Sequence, residues 1–287
     1  MDRKKYKFSL ILCTINRYED VIAFLESLLV QEYTNFECII VDQNKHDKIK
    51  KVYEKYRNYL NLVYHKSTIK GLSVNRNIGI SLSNGEIIAF PDDDCEYRPK
   101  TLMDVLSRFV ENAELDILTI NIRDKITEQY FRKVIKLRLT DRNYYPYAIS
   151  IGIFVKARDT RDLSFDEKMG AGTYWGAGEE SDFISNLLSK SYMAIYDGEL
   201  FVNHPYDVIS QRTVQEQKKR YMTYSAGYGA LIKKEIVLRG KYYLIYIFLF
   251  DLLKRVLASC LPLKKRILYW YSVKYRLLGF LSYKIDN

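Results

Sequence analysis

Four short apolar runs fall within the first ninety residues, separated by segments whose apolar residues recur at helical spacing. This alternation constrains the fold more than any other feature of the chain. Phe8–Cys13 runs into Thr14-Ile15-Asn16-Arg17, Glu37–Val41 into Asp42-Gln43-Asn44, and Glu86–Phe90 into Pro91-Asp92-Asp93-Asp94, while Leu62–Tyr64 is shorter. Between them, Glu19–Val30 places Val21, Ile22, Leu25, Leu28 and Leu29 close to a 3.6-residue period. Lys45–Tyr59 turns Ile49, Val52 and Tyr56 inward, Leu72–Ser81 fits a third helix, and Asn84-Gly85 is a turn. Strands alternating with helices predict an α/β fold with a doubly wound, mostly parallel sheet.

Beyond residue 100 the pattern thins. Thr101–Val110 reads as a helix, and Leu115–Ile122 and Ile149–Val155 as strands. The basic, tyrosine-rich stretch from Ile126 to Tyr147 follows no single period. Met169–Gly178, with four glycines and two aromatics, reads as a mobile loop, and Ser181–Leu188 as a helix.

The acidic triplet is the first sign of chemistry. Three carboxylates at one strand tip repel one another, so folding alone does not favour them. A divalent cation relieves that repulsion, and carboxylate oxygens suit Mg²⁺ or Mn²⁺. In open α/β sheets, ligands bind beyond the carboxyl ends of the strands. The triplet therefore reads either as a metal site for a phosphorylated ligand or as a solvated acidic turn. In extended backbone, residues 92 and 94 point to the same side. Asp92 and Asp94 can share one ligand while Asp93 faces elsewhere.

Charge is unevenly distributed. The chain carries a formal net charge of +10, yet residues 211–287 alone hold sixteen Lys/Arg against four Asp/Glu. Residues 1–210 read as one domain and 211–287 as a basic, aromatic helical extension. Within the extension, Tyr242–Phe250 is apolar but is followed by Asp251, Lys254 and Arg255, too short and charged for a membrane span. With Lys264-Lys265-Arg266 and the aromatics Trp270, Tyr271 and Tyr275, it predicts a segment lying on an anionic membrane surface. It matches no nucleic-acid recognition motif. Cys13, Cys38, Cys95 and Cys260 show no metal-binding or disulfide spacing, and the opening Met-Asp-Arg-Lys-Lys-Tyr-Lys lacks the apolar region of a signal peptide. Together these predict a cytoplasmic protein, peripheral at the inner face of the cell membrane.

The order of motifs resembles the inverting family 2 glycosyltransferases of GT-A fold, over roughly residues 7 to 206. Ser9–Arg17 is similar to their opening strand, although Cys13 stands where proline is usual and Ile15 where an aromatic is common. Ile39-Ile40-Val41-Asp42 resembles the second strand, and Gly71-Leu72-Ser73-Val74-Asn75-Arg76-Asn77-Ile78-Gly79 a Gly-Leu-x-x-Ala-Arg-Asn-x-Gly signature, with Asn75 replacing a small residue. Asp92-Asp93-Asp94 matches the Asp-x-Asp motif. Phe165-Asp166-Glu167 with Gly170 and Gly172 resembles the loop before the catalytic acid motif. Gly178-Glu179-Glu180-Ser181-Asp182-Phe183 resembles that motif, and Asn203-His204-Pro205 a late metal-site histidine.

The resemblance implies a nucleotide-sugar donor, UDP-linked, and a glycan or lipid-linked oligosaccharide acceptor. It implies donor contacts from Thr14, Asn16, Arg17, Asp42, Arg76, Asp92 and Asp93, with Asp42 on the nucleobase. It implies a Mn²⁺ or Mg²⁺ cofactor on Asp92, Asp94 and His204. The base that takes the acceptor proton falls to Glu180 or Asp182, with Glu180 in the motif's usual aspartate slot. Trp175 suits a sugar face in the acceptor site or the core. Two other readings are weaker. A sugar-phosphate nucleotidyltransferase needs a glycine-rich loop after the first strand, and Thr14–Tyr18 has no glycine. A non-catalytic membrane-surface or nucleic-acid binding module does not account for acids at both sites.

Overall fold

The computed structural model describes residues 6–158, 162–205, 213–260 and 266–285, which fall into two compact units. The larger runs to Lys70, resumes over Val74–Ser164 and closes with Asn186 onward through the last strand. The smaller takes Gly71–Ser73, Phe165–Ser185 and the described chain after that strand. The expected boundary at 210/211 lies outside the described residues, as do Lys264 and Lys265.

The larger unit is built on one eight-stranded sheet. Its strands are β1 (Tyr6–Thr14), β2 (Phe36–Asp42), β3 (Leu62–Lys66), β4 (Gly85–Ala89), β5 (Ile117–Asp124), β6 (Lys136–Leu139), β7 (Ile153–Lys156) and β8 (Ala194–His204), in the order β3-β2-β1-β4-β7-β5-β8-β6. The crossovers carry α1 (Tyr18–Leu29), α2 (Lys48–Tyr56), α3 (Leu72–Leu82) and α4 (Thr101–Glu111). β1 pairs in parallel with β2 on one side and β4 on the other. Strand order therefore reverses at β1, and the acidic triplet leaves β4 beside that switch point. Every residue of β2 is buried, so its Cys38-Ile39-Ile40-Val41 run is apolar on both faces, as a covered parallel strand requires.

Two regions differ from expectation. The predicted strand over 149–155 is shorter. Residues 150–152 form a 3-10 turn closed by the Gly152 N–H donating to the Ile149 carbonyl at 3.0 Å, and only Ile153–Lys156 enters the sheet. The turn reorients the chain so that β7 can lie antiparallel to both β4 and β5. The irregular stretch 126–147 contains a four-residue strand, β6, antiparallel to β8 at the sheet edge. Its alternation is too short to register in the sequence.

The smaller unit holds α6 (Val214–Val237), α7 (Tyr243–Cys260) and α8 (Arg266–Ser282), preceded in sequence by α5 (Glu179–Ser189), which begins in it. A capping box starts α6, with Thr213 and Glu216 satisfying each other's backbone N–H. α6 and α8 cross at very close range. A Cβ at Gly229 would stand 2.1 Å from the Arg276 carbonyl oxygen, and one at Gly279 2.0 Å from that of Ala226. Ser225 and Ser272 share a buried hydrogen bond of 2.9 Å at the same crossing. Ile232, Ile236, Phe248, Leu252 and Val273 form the core between the three helices.

The loop 169–178 is held rather than loose. Met169 is fully buried with Ala230, Leu231 and Tyr283, and the Gly170 N–H donates to the Trp175 carbonyl at 2.8 Å. Positive φ at Gly170 (99°) and Gly172 (94°) lets the chain fold back on itself there.

Candidate functional site

In the larger unit, the acids after β4 gather three of the predicted donor residues, Thr14, Arg17 and Arg76. Thr14 ends β1 and donates its hydroxyl to Asp93 at 2.7 Å. Arg17, half exposed, reaches Asp94 at 2.5 Å and Asp93 at 3.7 Å. Arg76, on α3, is 1% exposed and donates to Asp92 at 3.2 Å. Asn16 adopts a left-handed conformation (φ 60°), which asparagine tolerates, and its N–H donates to the Asn44 side chain at 2.7 Å.

His204 arrives from β8, far in sequence. The backbones of Glu96 and Asn203 exchange two hydrogen bonds, at 2.9 and 3.1 Å, and this bridge sets the strand end beside the acidic turn. His204 Nε2 then lies 3.0 Å from Asp94. One ligand atom from each of Asp92, Asp94 and His204 falls within 4.8 Å of the others. Two carboxylates and an imidazole form a mixed oxygen and nitrogen set that could hold a divalent cation. The Asp92 side chain remains 38% exposed.

The electrostatics divide the triplet. Burial pushes the Asp93 carboxyl up to about 7, against the opposing pull of Thr14 and Arg17. Burial also opposes ionisation of Asp94, but His204 and Arg17 outweigh it and hold that carboxyl below the ordinary range. For His204, burial favours the neutral ring, yet the Asp94 carboxylate wins and raises its pKa.

Asp42, at the end of β2, is fully buried. It accepts from Tyr64 at 2.8 Å, Lys66 at 3.0 Å, and the backbone and side-chain N–H groups of Asn44 at 2.8 and 2.7 Å. These partners fix the carboxylate at the strand end. Neither Tyr64 nor Lys66 stood out in the sequence, although both lie on the strand that pairs with β2.

In the smaller unit, α5 opens with Glu179, Glu180 and Asp182 in its first turn, where the helix dipole favours carboxylates. Asp182 is buried between two cations of α6 and its end, Lys234 at 2.6 Å and Arg239 at 2.9 Å. Lys234 also holds Asp166 at 2.5 Å, and Tyr283 donates to the same carboxylate. Arg239 and Lys241 each hold Glu235 at 2.6 Å, and Ser185 of α5 donates to Glu235 at 2.8 Å. Three acids thus meet three cations, and four of the six, Asp182, Glu235, Lys234 and Lys241, are buried. Sequence reasoning missed Lys234, Arg239 and Lys241, because cations in a basic segment read as solvated surface. Glu180 is half-buried beside this network. Trp175 stands edge-on to Tyr174 and Tyr283, with centroids 5.3 and 5.1 Å away.

The profile described as Glycosyl transferase family 2 matches residues 9–168, more than half of the chain. Poly(ribitol-phosphate) beta-N-acetylglucosaminyltransferase TarS of Staphylococcus aureus is 32% identical over 121 residues, 41% of this chain and 21% of that protein. Amylovoran biosynthesis glycosyltransferase AmsB of Erwinia amylovora is 28% identical over 182 residues, 58% of this chain and 60% of its own. The chain therefore matches about a fifth of the length of TarS. The crystal structure of S. aureus TarS 1-349 superposes with a TM-score of 0.60 at 18% identity, covering 96% of this chain and 89% of that one. The same fragment in complex with UDP-GlcNAc gives 0.58 at 19%. At that identity the likeness establishes a shared fold.

Proposed function

Because the chain belongs to glycosyl transferase family 2, we propose that it transfers a sugar, with inversion and in a metal-dependent way, from a UDP-sugar to a hydroxyl of a lipid-linked polysaccharide precursor. The convergence of Asp92, Asp94 and His204 beside the buried Arg76 carries this reading. A Mn²⁺ or Mg²⁺ ion on those three residues supplies positive charge against the donor diphosphate. Arg76 is held in place by burial and by Asp92, so it meets the departing diphosphate charge without reorganising. The turn at Thr14–Arg17 receives the nucleoside, and the buried Asp42 fixes the adjoining end of β2. Asp93, held by Thr14, keeps that turn against the acids. Glu180 accepts the proton of the acceptor hydroxyl as the new bond to the anomeric carbon forms and the bond to the diphosphate breaks. Asp182, committed to Lys234 and Arg239, orients the first turn of α5 instead.

The UDP assignment draws support from the UDP-GlcNAc complex of TarS. The acceptor class draws support from AmsB, named for biosynthesis of amylovoran, and from TarS, named for poly(ribitol-phosphate). A lipid-linked acceptor would place the enzyme at the cytoplasmic face of a membrane. The test is calorimetric titration of UDP in Mn²⁺, in Mg²⁺ and in excess chelator, followed by UDP release from a panel of UDP-sugars. Binding should require a divalent cation, and Asp94→Ala should nearly abolish turnover in a folded protein. Full activity in chelator would overturn the metal assignment. Release from a different nucleotide-sugar alone would overturn the UDP assignment.

A further inference from the structure

We propose that the exposed side of the α7–α8 helix pair is a docking surface for an anionic lipid bilayer, on which the pair lies flat. Both helices bury one side in the core of the smaller unit and leave an apolar stripe outside. On α7 the stripe is Tyr246, Leu249, Leu253 and Leu257, spaced three or four residues apart, with Tyr246 79% exposed. On α8 it is Trp270, Leu277 and Leu281, the last 71% exposed. Exposed apolar residues in runs of this length mark an interaction site rather than ordinary surface.

Charge selects the occupant. The one acid of α7, Asp251, is consumed internally by Arg255 at 3.1 Å and by Arg276. α8 contains no acid. The exposed cations of the two helices are Lys254, Arg266 and Lys274, the last two within the α8 stripe on either side of Trp270. Lys254 lies over the Phe250 ring, 4.3 Å from its centroid, the posture of a lysine that extends along apolar surface while its ammonium stays in water. Such a face complements anionic headgroups above an apolar interior. A second copy of the chain would oppose cation to cation across a two-fold contact. Tyr246 near one end of the pair and Trp270 near the other are the side chains that favour the headgroup level. No described helix is long and apolar enough to cross a membrane, so the pair rests along the surface rather than through it.

The experiment is co-sedimentation of the full chain with vesicles of 7:3 phosphatidylcholine:phosphatidylglycerol and of phosphatidylcholine alone, without donor or metal. It therefore reads the surface independently of glycosyl transfer. Wild type should bind the anionic vesicles and be partly released by 0.5 M NaCl, since screening weakens only the charged contribution. Leu249→Glu/Leu253→Glu, both at exposed positions, should keep its melting temperature and lose binding by at least tenfold. Lys254→Glu/Lys274→Glu should lose about thirtyfold or more on anionic vesicles, from the loss of two basic residues near the surface. Wild-type binding by the leucine variant overturns the proposal, as does equal binding to both vesicle types. Absence of vesicle binding also overturns it. If sedimentation velocity then shows a dimer that Leu249→Glu/Leu253→Glu dissociates, the occupant is a second copy.

Discussion

Lys234 is the side chain on which the buried network of the smaller unit turns, and Lys234→Met tests it. The lysine is 9% exposed and holds two acids, Asp166 and Asp182, which are 14% and 6% exposed. Removing one partner of a buried ion pair costs about 3–5 kcal/mol, because the remaining charge stays desolvated. Here each acid keeps another partner, Arg239 for Asp182 and Tyr283 for Asp166. The loss should therefore lie near the lower end, about 3 kcal/mol. At about 2–4 °C per kcal/mol for a chain approaching this length, the melting temperature falls by roughly 6–12 °C. Tryptophan fluorescence is the right probe. The chain has two tryptophans, Trp175 and Trp270, and both belong to the smaller unit. Trp175 also packs on Tyr283, which bonds Asp166, so it senses the network directly. Lys234→Arg keeps the charge and should lose less, and exposed Lys218→Met should change stability by under about 0.5 kcal/mol. A loss below about 1 kcal/mol for Lys234→Met would refute the reasoning, since it would mean the acids are not held by this lysine.

Three further outcomes follow from named contacts. Glu180→Gln should slow transfer by about 10²–10⁴-fold while UDP binding and melting temperature are kept. Asp182→Asn should instead lower the melting temperature, and a large rate loss in a stable Asp182→Asn protein would exchange the two roles. Acid should weaken the smaller unit through Asp166. Burial opposes its ionisation, but Lys234 and Tyr283 outweigh that and depress its pKa below the ordinary 3.8. The folded state then binds fewer protons than the unfolded one, so stability present above that value is lost as pH falls through the depressed folded value. Asp166→Asn should flatten this part of the fluorescence-detected pH profile. Gly279→Ala should destabilise the α6–α8 crossing by about 1–3 kcal/mol in a denaturant melt, because a Cβ there meets backbone that cannot swing aside.

What the sequence disclosed follows from how each element is stabilised. Leu10–Cys13 of β1, Cys38–Val41 of β2 and Ile87–Ala89 of β4 are buried on both faces, so they appear as apolar runs that stop where the chain leaves the sheet. α2 shows its buried face at Ile49, Val52 and Tyr56 because its other face is solvated. β6 and β7, at four residues each, owe their existence to neighbouring strands rather than to their own pattern. The loop 169–178 looked mobile because glycines permit many conformations. Its order comes from Met169 burying against helix α6, more than fifty residues on. His204 stood out only through family resemblance. Its place beside Asp94 comes from the backbone bridge between Glu96 and Asn203, to which side-chain identity gives no clue.

The two acidic clusters also differ in a way that composition could not reveal. In the smaller unit, Asp166, Asp182 and Glu235 are matched one for one by Lys234, Arg239 and Lys241, all buried or nearly so. Such a cluster has no charge left to offer a ligand, and its consequence is rigidity in the first turns of α5. In the larger unit, Asp92, Asp93 and Asp94 face two permanent cations, Arg17 and Arg76, and one titratable ring, His204. With the imidazole neutral, as metal ligation requires, negative charge is left in excess beside the exposed Asp92. An arriving divalent cation would remove that excess, and the diphosphate that follows would meet a positive site in place of three acids. The order of binding follows from this charge balance: metal with or before donor. Titration of UDP into the metal-free protein should give no binding, and addition of Mn²⁺ to that same mixture should restore it.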